Sequence, residues 1–374
     1  MGMLERTRRE ISIRRAQMIE ECNKPDIQPL KWSMHEDLFL ESMYVDFRNK
    51  LVYCSVLKGG STFWKRLLAI TSGFITAKTP YDIPANASHD RYLDNLNQQL
   101  PQRVDAILDS SLKFMFTREP YSRLFSCYVD KVFTPRPFYS RLRDSILLLT
   151  RPGWDNILQG RSCAVDVSFA EFFRFVVFSV EKNVAVDPHF IPMYQSCRPC
   201  EIKYEFLGKM DTFWRDTNFL LHERGLDNFT GLTNQRSDLD SIHDMVDSAF
   251  FEREESEKCL PFSKILQVIW KKAVIRGILS TDKVMPARFL NHSAISRTAF
   301  QTSLVEAYQA SQRDSSRHLN RKYAMIEAYQ TVSREDLTTY QNLFRPDFEI
   351  FGYESNRSDI FDSSVLNTSF SFFA

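Results

Sequence analysis

Glycine and cysteine are scarce in this sequence of 374 residues, and its net charge is close to zero. Its 11 glycines exclude collagen-like and glycine-rich repeat proteins. Its 48 basic and 47 acidic side chains leave a formal charge of +1, which argues against a polybasic protein that binds nucleic acid. Seven cysteines are too few for a disulfide scaffold, and their odd number leaves at least one thiol unpaired within the chain.

Long apolar runs are also absent. Residues 1–21 carry a charge at almost every turn and contain neither a signal peptide nor a membrane span. The longest apolar stretch, 262–279, is interrupted by polar and basic residues, so it predicts a basic amphipathic helix instead of a span. Taken literally, the sequence predicts a chain that starts in the cytosol.

Short apolar runs alternate with helical patterns along the chain. The β-prone runs that predict buried strands are 51–56, 112–117 and 202–207. The helical patterns that follow them are 63–70, 121–132 and 212–224. This alternation predicts an α/β fold with an open, mostly parallel sheet flanked by helices. A hydrophobic content of 43% is sufficient for a buried core.

Other segments complete the predicted organisation. Ser168 opens a helix over 168–180 through a capping box. Residues 231–320 lack clear β runs and predict a helical insertion. A capped helix covers 333–344, and the serine-rich tail 354–374 is expected to be flexible.

A polar loop with two glycines joins the first predicted strand to its helix, Lys58-Gly59-Gly60-Ser61-Thr62. Backbone N–H groups and the positive end of the helix favour an anion such as phosphate at this point. The glycines let the backbone approach the anion, and Lys58 and two hydroxyl groups can bind its oxygens. A nucleoside triphosphate P-loop is excluded because its lysine follows the glycines, whereas Lys58 precedes them. A tight turn without a ligand is the alternative interpretation of the loop alone.

A second candidate anion site follows the second predicted strand. Arg118 lies at the carboxyl end of that strand, where open α/β sheets bind their ligands. Ser126 lies about two turns into the next helix, on the face that can look back toward Arg118. An arginine binds phosphate oxygens in pairs and is always charged. Two anion sites on neighbouring strand-helix units suit a nucleotide with phosphates at both ends of its ribose.

Four ordered segments resemble the Golgi carbohydrate sulfotransferases of the HNK-1 and chondroitin 4-O-sulfotransferase group. Residues 52–66 are similar to the family's loop for the 5′-phosphosulfate, and they include Phe63, Trp64 and Lys65. Residues 116–131 resemble the family's 3′-phosphate segment. Residues 189–209 resemble the family pattern H-W-x-P-Q-x-x-x-C-x-P-C-x-I-x-Y-D-x-I-G-K. Residues 347–353 resemble the family pattern D-F-x-L-F-G-Y. Four matches in order are specific together, although the insertion 231–320 lies outside them.

The resemblance implies transfer of a sulfuryl group from 3′-phosphoadenosine 5′-phosphosulfate (PAPS) to a sugar hydroxyl, without a metal. Lys58 would stabilise charge on the leaving oxygen, and the loop 58–65 would bind the 5′-phosphate, with Thr62 donating to it. Arg118 and Ser126 would bind the 3′-phosphate. The resemblance also implies a domain over 47–353 behind a stalk-like segment, 1–46.

Several residues depart from the family pattern. These are Leu57, Ser61, Phe63, Phe190 and Ile191, which stand where the family usually has proline, cysteine, asparagine, tryptophan and arginine. Lys58, Thr62, Lys65 and Arg66 keep the pattern. An inactive relative that binds nucleotide or sulfated glycan is the alternative function.

His189 is the candidate general base, because it is the histidine of seven that lies inside a matching motif. Imidazole has an ordinary pKa near 6.5, which suits proton transfer in a mildly acidic compartment. A structural histidine that is hydrogen-bonded within its loop is the alternative. Cys197 and Cys200 could suggest zinc, but a second pair with such spacing is absent, and the resemblance favours a disulfide or structural cysteines.

The resemblance places the chain in the Golgi lumen as a type II membrane protein with a glycosaminoglycan or glycoprotein acceptor. The signal anchor of the family is not visible, so we expect an incomplete start. Glycosylation sequons agree with a lumenal chain and begin at Asn86, Asn228, Asn291, Asn356 and Asn367. Candidate basic residues for a polyanionic acceptor are Arg136, Arg141, Arg143, Lys271, Lys272 and Arg276, with ordinary solvated helix faces as the alternative.

Overall fold

The structure, a computed structural model, describes residues 2–25, 27, 36–84, 93–154, 166–184, 187–229, 234–290, 295–362 and 370–373. The strands are β1 (Met43–Asp46), β2 (Leu51–Cys54), β3 (Leu112–Thr117) and β4 (Phe206–Lys209). The first helices are α1 (Met3–Cys22), α2 (Glu36–Ser42), α3 (Ser61–Thr71), α4 (Pro101–Ser110), α5 (Pro120–Tyr128), α6 (Ser140–Thr150), α7 (Phe169–Lys182), α8 (Met193–Cys197) and α9 (Pro199–Ile202). The later helices are α10 (Phe213–Glu223), α11 (Asn234–Phe251), α12 (Arg253–Glu257), α13 (Phe262–Ile275), α14 (Arg297–Ser311), α15 (Asn320–Tyr329), α16 (Arg334–Leu343), α17 (Arg345–Phe351) and α18 (Ser358–Phe361).

The chain divides into two compact units, each built from three segments. The sheet unit contains β1 to β4 and comprises Met1–Arg123, Val186–Arg236 and Phe344–Ser355. The helical unit comprises Leu124–Ala185, Ser237–Leu343 and Asn356–Ala374. The boundary between the first segments falls inside α5, after Arg123.

The sheet has four strands in the order β1-β2-β3-β4. β2, β3 and β4 are parallel, and β1 pairs with β2 in the antiparallel direction at one edge. The predicted open, mostly parallel α/β sheet is therefore confirmed. Parallel strands present their carboxyl ends at one edge of the sheet, and the loops after β2, β3 and β4 start there.

The third predicted strand is displaced in the structure. The sequence predicts it over 202–207, whereas β4 begins at Phe206. The earlier residues belong to α9, which starts with a proline that suits the first helical position, and to the left-handed Lys203 that follows it. The Tyr204 hydroxyl donates to the carbonyl of Cys197, at 2.6 Å, and holds this turn against α8.

Alternate residues of the strands enter two apolar cores, one on each face of the sheet. Tyr53 of β2 and Phe114 of β3 pack on the face covered by Trp64 and other residues of α3 and by α10. Val52 and Met115 pack on the opposite face, with residues of α1, α8 and α17. Burial on both faces explains why β2 and β3 are continuous apolar runs instead of alternating ones.

Helix α1 lies within the segment that the sequence predicts as stalk-like. Nη1 of Arg14 lies 2.6 Å from Oδ2 of Asp216, a carboxylate that is fully buried. The same nitrogen donates to the carbonyl of Leu207 in β4. A disulfide joins Cys22, the last residue of α1, to Cys200 in α9. These contacts fix α1 to the sheet unit.

The helical unit is built around aromatic side chains. Phe169 and Phe173 of α7 pack against Tyr329 of α15, with ring centroids 4.8 and 5.7 Å apart. Ser168 and Glu171 form the predicted capping box at the start of α7. Helices α11 to α14 cover much of the predicted insertion, and its helical character is confirmed. In the part of the chain described here, no helix has both the length and the apolar composition needed to cross a membrane.

The C-terminal residues 370–373 pack within the helical unit, although the sequence predicts a flexible tail. Phe372 is buried, and its backbone N–H donates to Oε2 of Glu327 at 2.8 Å. The Ser371 hydroxyl donates to the other oxygen of the same carboxylate. The Phe373 ring lies near those of Phe125 and Tyr128, so aromatic contacts hold these described residues in place.

Candidate active site

The loop between β2 and α3 is held tightly against the end of β3. A Cβ atom on Gly59 would lie 2.7 Å from the carbonyl oxygen of Phe116, which is closer than real Cβ contacts. Gly60 has a φ of +85°, and a Cβ there would meet the ring of Phe213. Lys58 is also left-handed, with a φ of +69°. Only glycine fits the space at 59 and 60, so the two glycines let the loop settle on the strand ends.

Helix α3 begins at Ser61, with Gly60 as its N-cap residue. The first N–H groups of a helix lack partners within the helix, and they lie at its positive end. Ser61 and Thr62, which are half-buried residues, belong to this first turn. The loop therefore leads directly into a helix start, as the sequence predicts, and the anion site there stays a prediction.

The next residues of the predicted cofactor-binding stretch serve mainly to position α3. Trp64 is buried, and its ring centroid lies 4.7 Å from that of Phe114 in the sheet. The Lys65 ammonium group lies 4.6 Å above the ring of Tyr44 in β1. Phe63 packs edge-on against Trp214 of α10. The Trp64 side chain is a core residue, and the contribution of 63–65 to cofactor binding stays a prediction.

Arg118 directly follows β3, as the sequence predicts, and connects the two candidate anion sites. Its Nη1 donates to the carbonyl of Lys58 at 3.0 Å, and its Nε donates to the Ser122 hydroxyl at 3.2 Å. Its Nη2 is buried and has no hydrogen-bond partner among the described residues. A buried donor without a partner is costly, so this nitrogen marks a position where an acceptor would be stabilised.

Ser122 is a site residue that the sequence analysis did not identify. Glu119 accepts hydrogen bonds from the backbone N–H groups of Tyr121 and Ser122, and so caps the start of α5. This capping places the Ser122 hydroxyl on Arg118. The predicted partner, Ser126, lies one turn further along α5 and belongs to the helical unit, so its role stays a prediction.

His189 lies in the loop before α8 and is paired with an aspartate that the sequence analysis did not select. Its Nδ1 lies 2.6 Å from Oδ1 of Asp187, which also accepts the His189 backbone N–H. A carboxylate on Nδ1 favours the tautomer with a proton on that nitrogen, in which Nε2 is the basic atom. The spacing Asp-x-His was visible in the sequence and is the signal that could have revealed the pair.

The Asp347 carboxylate fixes the helix that follows His189. Its two oxygens accept the backbone N–H groups of Met193 and Tyr194, each at 2.7 Å, at the start of α8. Complete burial raises the pKa of Asp347 to about 6, although the nearby Arg123 and these hydrogen bonds oppose the rise. The matching segment at 347–353 thus serves the His189 loop.

A disulfide links the ends of two elements that border the site. Cys54, the last residue of β2, is bonded to Cys197, the last residue of α8. Together with the Cys22–Cys200 disulfide, this bond occupies both sulfur atoms of the C-x-x-C segment. The zinc alternative is therefore excluded for these two cysteines, and the expected disulfide chemistry is confirmed with more distant partners.

A further cation lies at the end of β4. The ammonium group of Lys209 donates to the carbonyl of Gly352 at 3.1 Å and lies 4.3 Å above the Tyr353 ring. Burial, with a smaller contribution from the cation of Arg14, lowers the pKa of Lys209 to about 8. The Tyr353 hydroxyl is hydrogen-bonded to Thr117 at the end of β3. The segment 347–353 therefore also contributes to the strand ends.

Three of the six basic residues proposed for the acceptor are engaged inside the helical unit. Lys272 is buried and pairs with Asp130 at 2.6 Å. Arg136 forms a two-point ion pair with Glu252. Burial lowers the pKa of Arg143 to about 10, and this side chain donates to the carbonyl of Arg136. These three residues contribute to the internal structure of the helical unit, and Lys272 and Arg143 are buried, so these two do not belong to a solvated helix face either.

Comparison with known proteins assigns the chain to an enzyme family. The profile described as "Sulfotransferase family" matches residues 41–258, which include Lys58, Arg118, Ser122 and His189. The chain belongs to the sulfotransferase family. It is therefore an enzyme of the transferase class.

Several curated sulfotransferases are similar to the chain. Carbohydrate sulfotransferase 11 of Rattus norvegicus is 29% identical over 250 residues, which are 66% of this chain and 70% of the relative. The Danio rerio protein of the same name is 32% identical over 211 residues, 56% of this chain and 60% of the relative. Carbohydrate sulfotransferase 14 of Homo sapiens is 29% identical over 204 residues, 54% of this chain and 52% of the relative. No solved structure matches the chain.

Proposed function

We propose that this sulfotransferase transfers a sulfuryl group from PAPS to a hydroxyl group of a glycan. The observation that carries the proposal is the buried Nη2 of Arg118, on a side chain that also bonds to the backbone of Lys58. A phosphate oxygen would supply the acceptor that this nitrogen lacks among the described residues. Similarity to carbohydrate sulfotransferases 11 and 14 supports a glycan as the acceptor.

Two groups of residues would bind the donor nucleotide. The N–H groups of the loop 58–62 and the Thr62 hydroxyl would hold the 5′-phosphate at the start of α3. Arg118, with Ser122 and Ser126 on the next helix, would hold the 3′-phosphate. The glycine cradle at 59 and 60 supports this assignment, because a Cβ atom there would clash with Phe116 or Phe213.

The reaction is an in-line displacement at sulfur. The sugar hydroxyl oxygen forms a bond to sulfur while the bond from sulfur to the 5′-phosphate oxygen breaks. His189 accepts the hydroxyl proton, and Asp187 stabilises the imidazolium that results. Lys58 stabilises the negative charge that develops on the leaving phosphate oxygen. The products are a sulfate ester and 3′-phosphoadenosine 5′-phosphate, and the scheme requires no metal ion.

The acceptor that we propose is chondroitin or dermatan, sulfated at O-4 of N-acetylgalactosamine, or a related glycosaminoglycan or glycoprotein glycan. This choice rests on the resemblance of the four motif segments. We also propose the Golgi lumen, with a membrane anchor, as the location. Two disulfides support an oxidising compartment, since such bonds are rare in the cytosol. The exposed sequon residues Asn228 and Asn356 agree with it.

The test is incubation of the secreted chain with labelled PAPS and a panel of acceptors. The panel contains desulfated chondroitin, desulfated dermatan and glucuronyl-terminated glycans. We expect label on at least one acceptor, and transfer slower by a factor on the order of 10² or more when Lys58 is changed to alanine. Donor binding without transfer to any acceptor would favour the inactive relative instead.

A further inference from the structure

Arg123 is buried on α5, one turn after the residues that cap this helix, and its exposed fraction is 3%. Its side chain donates to three backbone carbonyl groups from two separate loops. Nε donates to Leu57, Nη1 to Ile191 and Nη2 to Pro188, at 3.0, 2.6 and 3.2 Å. One guanidinium group therefore spans the donor loop and the His189 loop.

These three carbonyls lie beside the two residues that would perform the chemistry. Leu57 directly precedes Lys58, and Pro188 directly precedes His189, which lies between the two other acceptors. The guanidinium is planar and presents its donors in a fixed fork. A rigid fork with acceptors on both loops sets the distance between the loops, which a single flexible ammonium group could not do.

Asp347, which has the opposite charge, binds the same loop as Arg123. Its carboxylate accepts N–H groups of the same loop, at Met193 and Tyr194, and it interacts electrostatically with Arg123. The cation thus binds carbonyl groups of the segment 188–194, and the anion binds its N–H groups. Every one of these partners belongs to the sheet unit.

The geometry points to Arg123 as a positioning residue that, with Asp347, holds the His189 loop in register with the Lys58 loop for transfer. The inference rests on the proposed function, because it assigns the base to His189 and the leaving-group cation to Lys58. Arg123 itself does not contact the reacting atoms. Its loss should therefore affect transfer much more than nucleotide binding, which the start of α3 and Arg118 provide.

The main test is Arg123→Lys in the full secreted chain. We expect kcat for sulfuryl transfer to fall about 10- to 100-fold, while the affinity for 3′-phosphoadenosine 5′-phosphate changes less than threefold. Arg317→Lys is the matched control, since Arg317 also binds backbone carbonyls, at Gly277 and Ile278, and pairs with Asp238 in the helical unit. The control should keep the parental kcat per folded molecule.

A double variant shows whether Arg123 acts through His189. In the His189→Ala background, Arg123→Lys should lower kcat by less than about threefold, because the base that it positions is already gone. A parental kcat in Arg123→Lys would overturn the inference, and so would an undiminished loss in the double variant. If Arg123→Lys does not fold, Asp347→Asn takes its place, with the same expected loss of kcat and the same contradicting outcome.

Hydrogen exchange separates this inference from the proposed function. Amide exchange in peptides covering 55–60 and 187–197 should be faster in Arg123→Lys than in the parent and in Arg317→Lys. Unchanged exchange in both peptides would overturn the positioning role. A parent that transfers no label to any acceptor would instead count against the proposed function, and the exchange result would still decide the role of Arg123.

Discussion

Lys58 has a backbone conformation that residues with a Cβ atom rarely adopt. Such strain persists only where neighbouring contacts hold the backbone, and residues that carry it cluster at functional sites. Here the carbonyl of Lys58 accepts a hydrogen bond from Arg118, and the next residue packs against the end of β3. The strained backbone thus fixes the direction in which the Lys58 side chain leaves the loop.

Changing Lys58 to alanine should lower turnover by a factor on the order of 10² or more, because it removes a preorganised charge from the leaving oxygen. The measurement is transfer of labelled sulfate at saturating donor and acceptor. Lys203→Ala is the matched control, since Lys203 is an exposed lysine with a similarly left-handed φ of +55°. Activity of Lys58→Ala within threefold of the parent would remove this residue from the mechanism.

Arg118→Ala should weaken binding of 3′-phosphoadenosine 5′-phosphate by about 2 to 4 kcal/mol, because the 3′-phosphate loses a charged, two-point partner. Adenosine 5′-phosphate, which lacks that phosphate, serves as the control ligand and should bind almost as before. Calorimetry on both nucleotides measures the difference. Equal losses for the two ligands would argue against the assignment of the 3′-phosphate to Arg118.

His189→Ala should lower kcat by about 10² to 10⁴, with donor affinity near normal, because a general base acts on the acceptor. In the parent, activity should fall as the pH is lowered through the pKa of this histidine, since only neutral imidazole accepts a proton. This decrease of activity at low pH should be absent in the variant. His222→Ala is the control, because His222 forms a similar but exposed pair with Asp227. Joint loss of donor binding and thermal stability would indicate a structural histidine instead.

The candidate site residues that the sequence suggests are those whose chemistry follows from a local pattern. Lys58, Arg118 and His189 each lie in a short motif with a defined neighbour. Ser122 and Arg123 could not be assigned in this way, because their roles depend on partners that are distant in the chain. Arg123, for example, meets carbonyl groups 65 to 68 residues away.

At the scale of elements, the contact between α17 and α8 makes the stability of the fold depend on pH. Burial raises the pKa of Asp347 to about 6, from an ordinary value of 3.8. Between these two values the folded protein holds a proton that the unfolded chain releases. The free energy of unfolding contributed by this group is therefore highest at low pH and falls as the pH rises through about 6.

Asp347→Asn should remove this dependence. Between pH 3 and pH 7 the parent should lose about 3 kcal/mol relative to the variant, at 1.36 kcal/mol for each unit of pKa change. Urea unfolding at several pH values measures the two slopes. Asp282→Asn, at an exposed aspartate, is the control and should follow the parent. Parallel slopes for Asp347→Asn and the parent would show that the carboxylate does not titrate in this range.

Element prediction succeeded where local signals were strong. β3 has the bounds that its apolar run predicts, and α7 begins at the predicted capping box. β1 was missed because it is an edge strand of four residues with no distinctive pattern. The start of β4 was predicted too early because Ile202 and Tyr204 are apolar and alternate as in a strand. In the structure Ile202 ends α9 and Tyr204 lies just after it, and both pack against the core.

At the scale of the molecule, the sequence predicts one continuous domain over 47–353. The chain divides into two compact units of three segments each, so it passes from one unit to the other five times. Composition does not change at the crossing points, and one of them lies inside α5. A continuous helix gives no linker signal, so a boundary there is invisible to composition and turn patterns. The alternation of strands and helices was sufficient for the fold class but not for this organisation.

Secretory expression with a supplied signal peptide should yield glycans on at least two of the sequons. The residues concerned are Asn86, Asn228, Asn291, Asn356 and Asn367, of which Asn86, Asn291 and Asn367 lie outside the described residues. Asn228 and Asn356 are exposed, as modification requires. Gel mobility before and after glycosidase treatment measures the result. Unchanged mobility would favour a cytosolic protein.

The division of the sheet unit among three segments also affects synthesis of the protein. A ribosome makes β2 and the Lys58 loop early, but Asp347 emerges 154 residues after its partner Met193. The two disulfides likewise join cysteines 178 and 143 residues apart. Cys22, Cys54 and the edge of β3 that pairs with β4 must therefore stay unpaired while Leu124–Ala185 of the helical unit is translated, which is when chaperones and disulfide isomerases act. A premature stop before residue 344 would leave a Lys58 loop whose partner loop has lost its anchor.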